Sequence, residues 1–426
     1  MSSVDHERSD EALYTHCGKL DRGWACALGS MLALAAGPST VAMMTFGVFV
    51  PHLNNSFNWG ITATAFGATI MSLMIVVAAP IQGWLVDRLG TRKVILASIP
   101  LFGLSFASLS LLTGAIWQFY LAWVAIPLFA VGLWPGSYAK ATSTWFDRRL
   151  GLAVAVATLG IGLGGAALPL LIGAILDAAN WRTAYAALGF VAILISMPAV
   201  YFWVHENPAV AAAAKPPKTA LWNWNEFRQP DLYKLLLGFV FLGFVSTSML
   251  VHQVTVLTEN GVSPANTLRL QALLGFSTIA GRLLSGWMLD RFHVRFMMPV
   301  YALLSAVALI CLAQGAGGVI AGLAAVCVGL LLGAEIDVLG FVVKRYFGLS
   351  RYGSLYGLIF AAFQMGGASG AAALGVMRTS AGNYHAALML LAALSVAAAL
   401  IFFTLAPYHS SGSAPPKRIK APILAR

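Results

Sequence analysis

Twelve apolar runs, separated by short polar or Gly/Pro/Asn-rich breaks, account for most of the chain: 24–50, 61–86, 94–113, 116–138, 151–176, 183–204, 235–257, 267–289, 297–314, 317–343, 354–377 and 384–406. An α-helix rises about 1.5 Å per residue, so about 20 apolar residues cross a hydrocarbon core of roughly 30 Å. The pattern predicts an all-α membrane protein of twelve transmembrane helices. Short connections, such as Pro51–Gly60 and the break near Gly315, force neighbouring helices to run antiparallel. An even number of spans leaves both termini on one side.

The longest internal break, His205 to Leu232, is rich in Pro, Lys and Ala and contains Trp222 and Trp224, residue types that favour a membrane interface. It divides the chain into a tail (1–23), a six-helix half (24–204), a central loop (205–234), a second six-helix half (235–406) and a closing tail (407–426). The halves share a segment. Gly83-Trp84-Leu85-Val86-Asp87-Arg88 with Arg92 follows span two, and Gly286-Trp287-Met288-Leu289-Asp290-Arg291 with Arg295 follows span eight, 203 positions later. Both read Gly-Trp-x-x-Asp-Arg-x-x-x-Arg, which makes the halves parallel repeats. An acidic residue at a helix end beside two arginines on a tight turn suits a latch between helices. The plainer reading is orientation by positive charge alone, although that rule does not require the acidic residue.

Composition agrees with lipid as the solvent: 59% of residues are apolar, 10% are charged and the mean hydropathy is +0.80. The net charge of +11 does not form a tract suited to nucleic acid, because the basic residues recur between the apolar runs. Of the 26 Lys and Arg, 22 fall on the face shared by the termini, Arg182, Arg269 and Arg378 on the other, and Arg282 inside a span. Both termini are therefore expected in the cytoplasm. Met1–Arg22 lacks the layout of a cleaved signal peptide. Short tails without an organelle signal fit a bacterial inner membrane. The cysteines, Cys17, Cys26, Cys311 and Cys327, have no metal-like spacing and read as reduced structural residues. No cofactor or metal is expected. No span carries a catalytic set and the longest soluble segment is short, which argues against an enzyme or receptor.

A charge inside a span costs roughly 2.5–3.5 kcal/mol on insertion scales, so each one is a functional candidate. Arg282 lies eight residues before Asp290, about 12 Å from the helix end. Glu335 and Asp337 lie at similar depth on span ten, nine and seven residues before Lys344. Their spacing sets them about 200° apart, so one faces Arg282 and the other a neighbouring helix. Arg282 is either half of a permanent ion pair or a bidentate anchor for a substrate carboxylate. His252, in span seven, is either a packed hydrogen-bonding residue or, given the next helix, a second group at the Arg282 site.

The repeated loop segment, with twelve spans and a central loop, resembles the major facilitator superfamily over essentially the whole chain. Within it the chain resembles the monocarboxylate transporter branch and its bacterial relatives, including the oxalate:formate antiporters. That resemblance rests on Trp145-Phe146-Asp147-Arg148-Arg149-Leu150-Gly151, Gly160-Ile161-Gly162-Leu163-Gly164-Gly165, Val251-His252-Gln253-Val254, Gly261-Val262-Ser263-Pro264, Gly333-Ala334-Glu335-Ile336-Asp337 and Arg345-Tyr346-Phe347-Gly348. It implies that Arg282 anchors a carboxylate and that His252 lines the site. Two family features are missing: animal carriers have an Asp one turn before the span-eight Arg, where this chain has Thr278, and a Lys in span one, where this chain has none. The second cation that oxalate carriers place in span eleven is also missing around Phe363, Gln364 and Met365. One membrane cation favours monoanions over dianions. Proton carriers, if protons move, are Glu335, Asp337 or His252. Phe46, Tyr138, Phe360 and Phe363 are candidates for the cavity wall, and Thr278 and Gln364 join them as substrate-binding candidates.

The expectation is a secondary transporter of small organic monocarboxylates, H⁺-coupled, working by alternating access and complete as a monomer in the lipid bilayer. The alternatives are an exchanger of organic anions and an efflux pump of the same superfamily.

Overall fold

The computed structural model describes residues 17–214 and 228–408. Trp222, Trp224 and the ends of both tails lie outside the described residues. Within them every regular element is helical. Eleven helices are long and apolar enough to cross a membrane. The twelfth crossing, span four, is assembled from shorter pieces: Ile116–Phe129, a 3-10 turn Val131–Leu133 and Pro135–Ser143.

Span four breaks for a local reason. Pro135 has no N–H, and Trp134 before it is extended (ψ 154°), as a residue before proline prefers. The backbone freed by the break is satisfied inside the protein, as a membrane interior requires. Gln82 Nε2 donates to the Trp134 carbonyl at 3.0 Å, and the Gly132 N–H donates to Ser98 Oγ at 3.0 Å.

Span one differs from its expected limits. Its helix begins at Cys17 rather than at residue 24, stops at Ala35, continues as a π-helix over Ser39–Met44 and resumes over Phe46–Phe57. Pro51, expected in a loop, lies inside that last helix. Span seven likewise starts earlier than expected, at Pro230, a first-turn proline that loses no helical bond. The break after His205 holds a short helix, Pro208–Ala213, capped by the Asn207 side chain.

The other crossings are Ile61–Leu89, Thr91–Ala107, Leu150–Ala178, Trp181–Trp203, Pro264–Leu289, Val294–Ala313, Gly318–Phe347, Tyr352–Ala381 and His385–Phe403. Helices pack mainly within their own half: one against five and six, three against six, seven against eleven, eight against ten, nine against twelve. The halves meet where span two crosses eleven, where five crosses eight and ten, and where the last piece of four touches ten and eleven. Glycines set those crossings. A Cβ at Gly83 would fall 2.1 Å from the Gly353 carbonyl oxygen, and one at Gly286 would fall 2.6 Å from the Ala155 Cβ. Only a residue without a side chain lets the backbones come this close.

Candidate functional site

Two regions concentrate polar groups between the halves. The first is the end of the bundle that carries both Gly-Trp-x-x-Asp segments, here called the motif end. Asp87, in the last turn of span two, accepts from the backbone N–H groups of Gly353 (2.8 Å) and Ser354 (2.7 Å) at the start of span eleven, and from Ser354 Oγ (2.8 Å). Lys140 of span four pairs with the same carboxylate at 2.8 Å. Asp290, following span eight, accepts from Gly151 N–H (2.7 Å) and Leu152 N–H (3.0 Å) at the start of span five. Each repeat's aspartate thus caps a helix of the opposite half, where unsatisfied N–H groups and the helix dipole favour an anion. Burial raises the Asp290 carboxyl above its ordinary range, and the Leu152 and Gly151 N–H groups oppose that shift.

The motif arginines do not reach across the halves in the same way. Arg88 and Arg291 lie over Trp84 and Trp287 of their own helices, with 5.4 and 4.2 Å to the ring centroids. Arg92 donates to the Tyr201 carbonyl of span six at 2.7 Å, and Arg295 lies over Phe296. The cross-half cationic contacts come from span ten instead. Arg345 pairs with Asp147 at 3.1 Å, and Lys344 Nζ donates to the carbonyls of Ser143 and Phe146. Asp147 and Arg345 stood out in the sequence only as parts of the family-like stretches, and Lys344 and Lys140 only as basic residues at loop ends.

The second region lies about 10 to 12 Å deeper, measured along the helices. Arg282, 4% exposed, donates from Nη1 to Asp337 Oδ1 at 3.2 Å. Glycines allow this meeting: Gly329 and Gly333 of span ten lie against the Leu274 and Thr278 carbonyls of span eight. Asp337 is fully buried and its Oδ1 also accepts from Thr158 Oγ1 of span five. Glu335, 1% exposed, accepts from Ser246 Oγ of span seven. The pair of carboxyls divides as the helical spacing requires, one to Arg282 and one to a neighbouring helix. Two buried atoms in this layer have no hydrogen-bond partner among the described residues: Arg282 Nε and Asp337 Oδ2.

His252 is held by groups of other helices. Its Nδ1 contacts Tyr384 Oη at 2.9 Å and its Nε2 contacts the Ala371 carbonyl at 3.0 Å, so both ring nitrogens are engaged toward spans eleven and twelve. Thr278 donates to the Leu274 carbonyl of its own helix. Tyr138 is fully buried with a hydroxyl that has no partner among the described residues, as is Tyr356, which packs on Gly136. Phe360 and Phe363 are buried and stacked (6.2 Å, 13°), with Tyr356 next in the row. Gln364 and Phe46 are half-buried, and Phe46 meets Trp123 edge-on. Among the described residues no group of three His, Cys, Asp or Glu has a metal-binding arrangement.

Comparison with known proteins places this geometry. The chain is 23% identical over 401 residues to Monocarboxylate transporter 11 of Homo sapiens, covering 91% of this chain and 84% of that protein. It is 27% identical over 248 residues to the 3-(3-hydroxy-phenyl)propionate transporter of Escherichia coli (strain K12), covering 56% of this chain and 58% of that one. In fold it superposes on the proton:xylose symporter XylE with a TM-score of 0.72 at 14% identity, covering 92% of this chain and 97% of that chain. These relatives are carriers rather than enzymes. The family model of the Major Facilitator Superfamily matches residues 32–341 and 255–425, and this chain, a membrane protein with the twelve-helix fold, belongs to that family.

Proposed function

We propose that the chain is a secondary transporter of small organic monocarboxylates, carried together with H⁺ by alternating access of its two halves. The observation that carries this reading is the incomplete pairing of Arg282. Its guanidinium uses Nη1 on one oxygen of Asp337, while Arg282 Nε and Asp337 Oδ2 are buried without partners among the described residues. A guanidinium forks naturally onto two carboxylate oxygens, and an unpartnered buried polar atom is costly. A substrate carboxylate accepting from Nε, and from a proton on Asp337 Oδ2, satisfies both atoms.

Charge counting supports the coupling. The layer holds one cation, Arg282, and two carboxyls, Asp337 and Glu335. A water-excluded cluster disfavours net charge. It is neutral when one carboxyl carries a proton, and an incoming monoanion leaves it neutral only if a second proton arrives. One H⁺ per carboxylate follows, and transport is electroneutral. The distribution of Lys and Arg supports a cytoplasmic motif end and cytoplasmic termini. Among the described residues the polar contacts between halves lie at the motif end or in the Arg282 layer, so this conformation is closed toward the cytoplasm. Two of the relatives are named for carboxylic acids, which agrees with the substrate class.

The Arg282–Asp337 bond itself favours a second reading, in which the pair is permanent and the chain exchanges anions without H⁺. The deciding experiment is uptake of labelled lactate, pyruvate, benzoate and oxalate into proteoliposomes, with and without an inward H⁺ gradient, for wild type and Arg282→Ala. Gradient-driven uptake of a monocarboxylate that disappears in the variant is the expected result. Wild-type transport by Arg282→Ala overturns the carboxylate anchor. Uptake that needs internal anion and ignores the gradient selects the exchanger.

A further inference from the structure

Asp337 Oδ1 accepts two hydrogen bonds, one from each half of the molecule: Arg282 Nη1 from span eight and Thr158 Oγ1 from span five. Thr158 is fully buried, seven residues beyond Gly151, whose N–H is capped by Asp290. Span five is therefore held to the second half at two heights about 10 Å apart, each time by a carboxylate. The hydroxyl has an alternative on its own helix, because Thr158 Oγ1 also lies 3.1 Å from the Val154 and Ala155 carbonyls. A threonine that back-bonds can leave its partner without being stranded. The matching position on span eleven, 202 residues later where Gly151 matches Gly353, is Phe360, which has no hydroxyl.

We propose that Thr158 is a positioning residue through which the first half reads the occupancy of Arg282: its bond to Asp337 holds the empty carrier closed at the motif end. When a substrate carboxylate draws the guanidinium, Asp337 Oδ1 shifts. The Thr158 hydroxyl then turns back to the Val154 or Ala155 carbonyl, and one tie between the halves is lost. The proposal rests on Arg282 as the anion site, but the Thr158–Asp337 bond is tested without any substrate.

The test uses a chain with its four cysteines replaced and spin labels at Leu89→Cys and Phe292→Cys, which are 53% and 51% exposed at the motif end of opposite halves. Pulsed EPR distances are recorded in nanodiscs without substrate. Wild type gives a dominant short distance. Thr158→Val, nearly isosteric, raises the ratio of long to short distances by roughly tenfold or more, the size expected for one hydrogen bond to a buried charged group. Thr158→Ser restores the wild-type distribution. In proteoliposomes Thr158→Val changes net uptake relative to exchange, whereas simple loss of folded protein lowers both equally. A wild-type distance distribution in Thr158→Val overturns the proposal, whatever the substrate is. If Thr158→Val opens the motif end while Arg282→Ala still carries monocarboxylates normally, the tie between halves stands and the anion reading falls.

Discussion

The motif end and the Arg282 layer are built on opposite principles. At the motif end the two halves repeat one another: Asp87 caps span eleven as Asp290 caps span five, and Gly83 meets Gly353 as Gly286 meets Gly151. In the Arg282 layer the repeat is abandoned. Spans five, eight and ten supply Thr158, Arg282 and Asp337, whereas the matching stretches of eleven, two and four supply Phe360, Ala79 and Trp134-Pro135. Symmetry suits a device that only has to hold two equivalent helices. A site that, as proposed for this layer, must tell one end of a small anion from the other needs asymmetry, with charge on one side and apolar surface on the other.

The largest effect tests the asymmetric layer. Asp337→Ala leaves Arg282 buried and unpaired, and breaking such a pair costs about 3–5 kcal/mol. Thermal unfolding in detergent is expected to fall sharply for Asp337→Ala and to recover partly in the Arg282→Leu/Asp337→Leu double variant. A single variant as stable as wild type removes the buried pair from the account. Next come the glycine crossings, where the symmetry is inexact. Gly83→Ala sets a Cβ 2.1 Å from the Gly353 oxygen, whereas Gly286→Ala sets one 2.6 Å from the Ala155 Cβ and 2.7 Å from the Gly151 oxygen. Spin-label distances are expected to show a larger loss of the closed state for Gly83→Ala, and equal losses blur that distinction.

Smaller still are the caps. Asp87→Asn and Asp290→Asn, which keep a capping oxygen but lose the charge facing the helix end, are each expected to weaken closure by about 0.3–2 kcal/mol. Asp87→Asn is the larger, because it also loses the attraction to Lys140. The two sites share no contact, so the double variant is expected to be additive within about 0.5 kcal/mol. A strong departure, read from the same distances, makes the two latches one network. Smallest is Phe360→Thr, which gives span eleven the hydroxyl of span five with no carboxylate facing it. The resting distances are expected not to move, although packing is lost.

Much of this was legible because membrane helices leave strong traces. The apolar runs placed all twelve crossings, though not the breaks inside spans one and four, and the copied loop segment located the motif end. The angular separation of Glu335 and Asp337 predicted that one would turn to Arg282 and the other away, and Ser246 is where the second one goes. What the sequence hid depends on which neighbour a helix face meets. His252 reads either as a packed residue or as a second group beside Arg282 on the next helix, and only the fold supplies the partners of its ring, Tyr384 and Ala371. Thr158 reads as a small polar residue of the kind helices absorb by back-bonding, and only the crossing of spans five and ten gives it a carboxylate. The pieces of span four were hidden for a different reason: apolar content continues across Trp134-Pro135, so hydropathy cannot register a break that dihedral angles impose.

The twin aspartate caps also have a statistical consequence. If one cap alone held the end with about 1.4 kcal/mol, thermal motion would leave it ajar roughly one time in ten. Two independent caps that must both let go multiply their odds, to roughly one in a hundred. Duplicating the half therefore did more than double the number of helices. It squared the improbability of a leak.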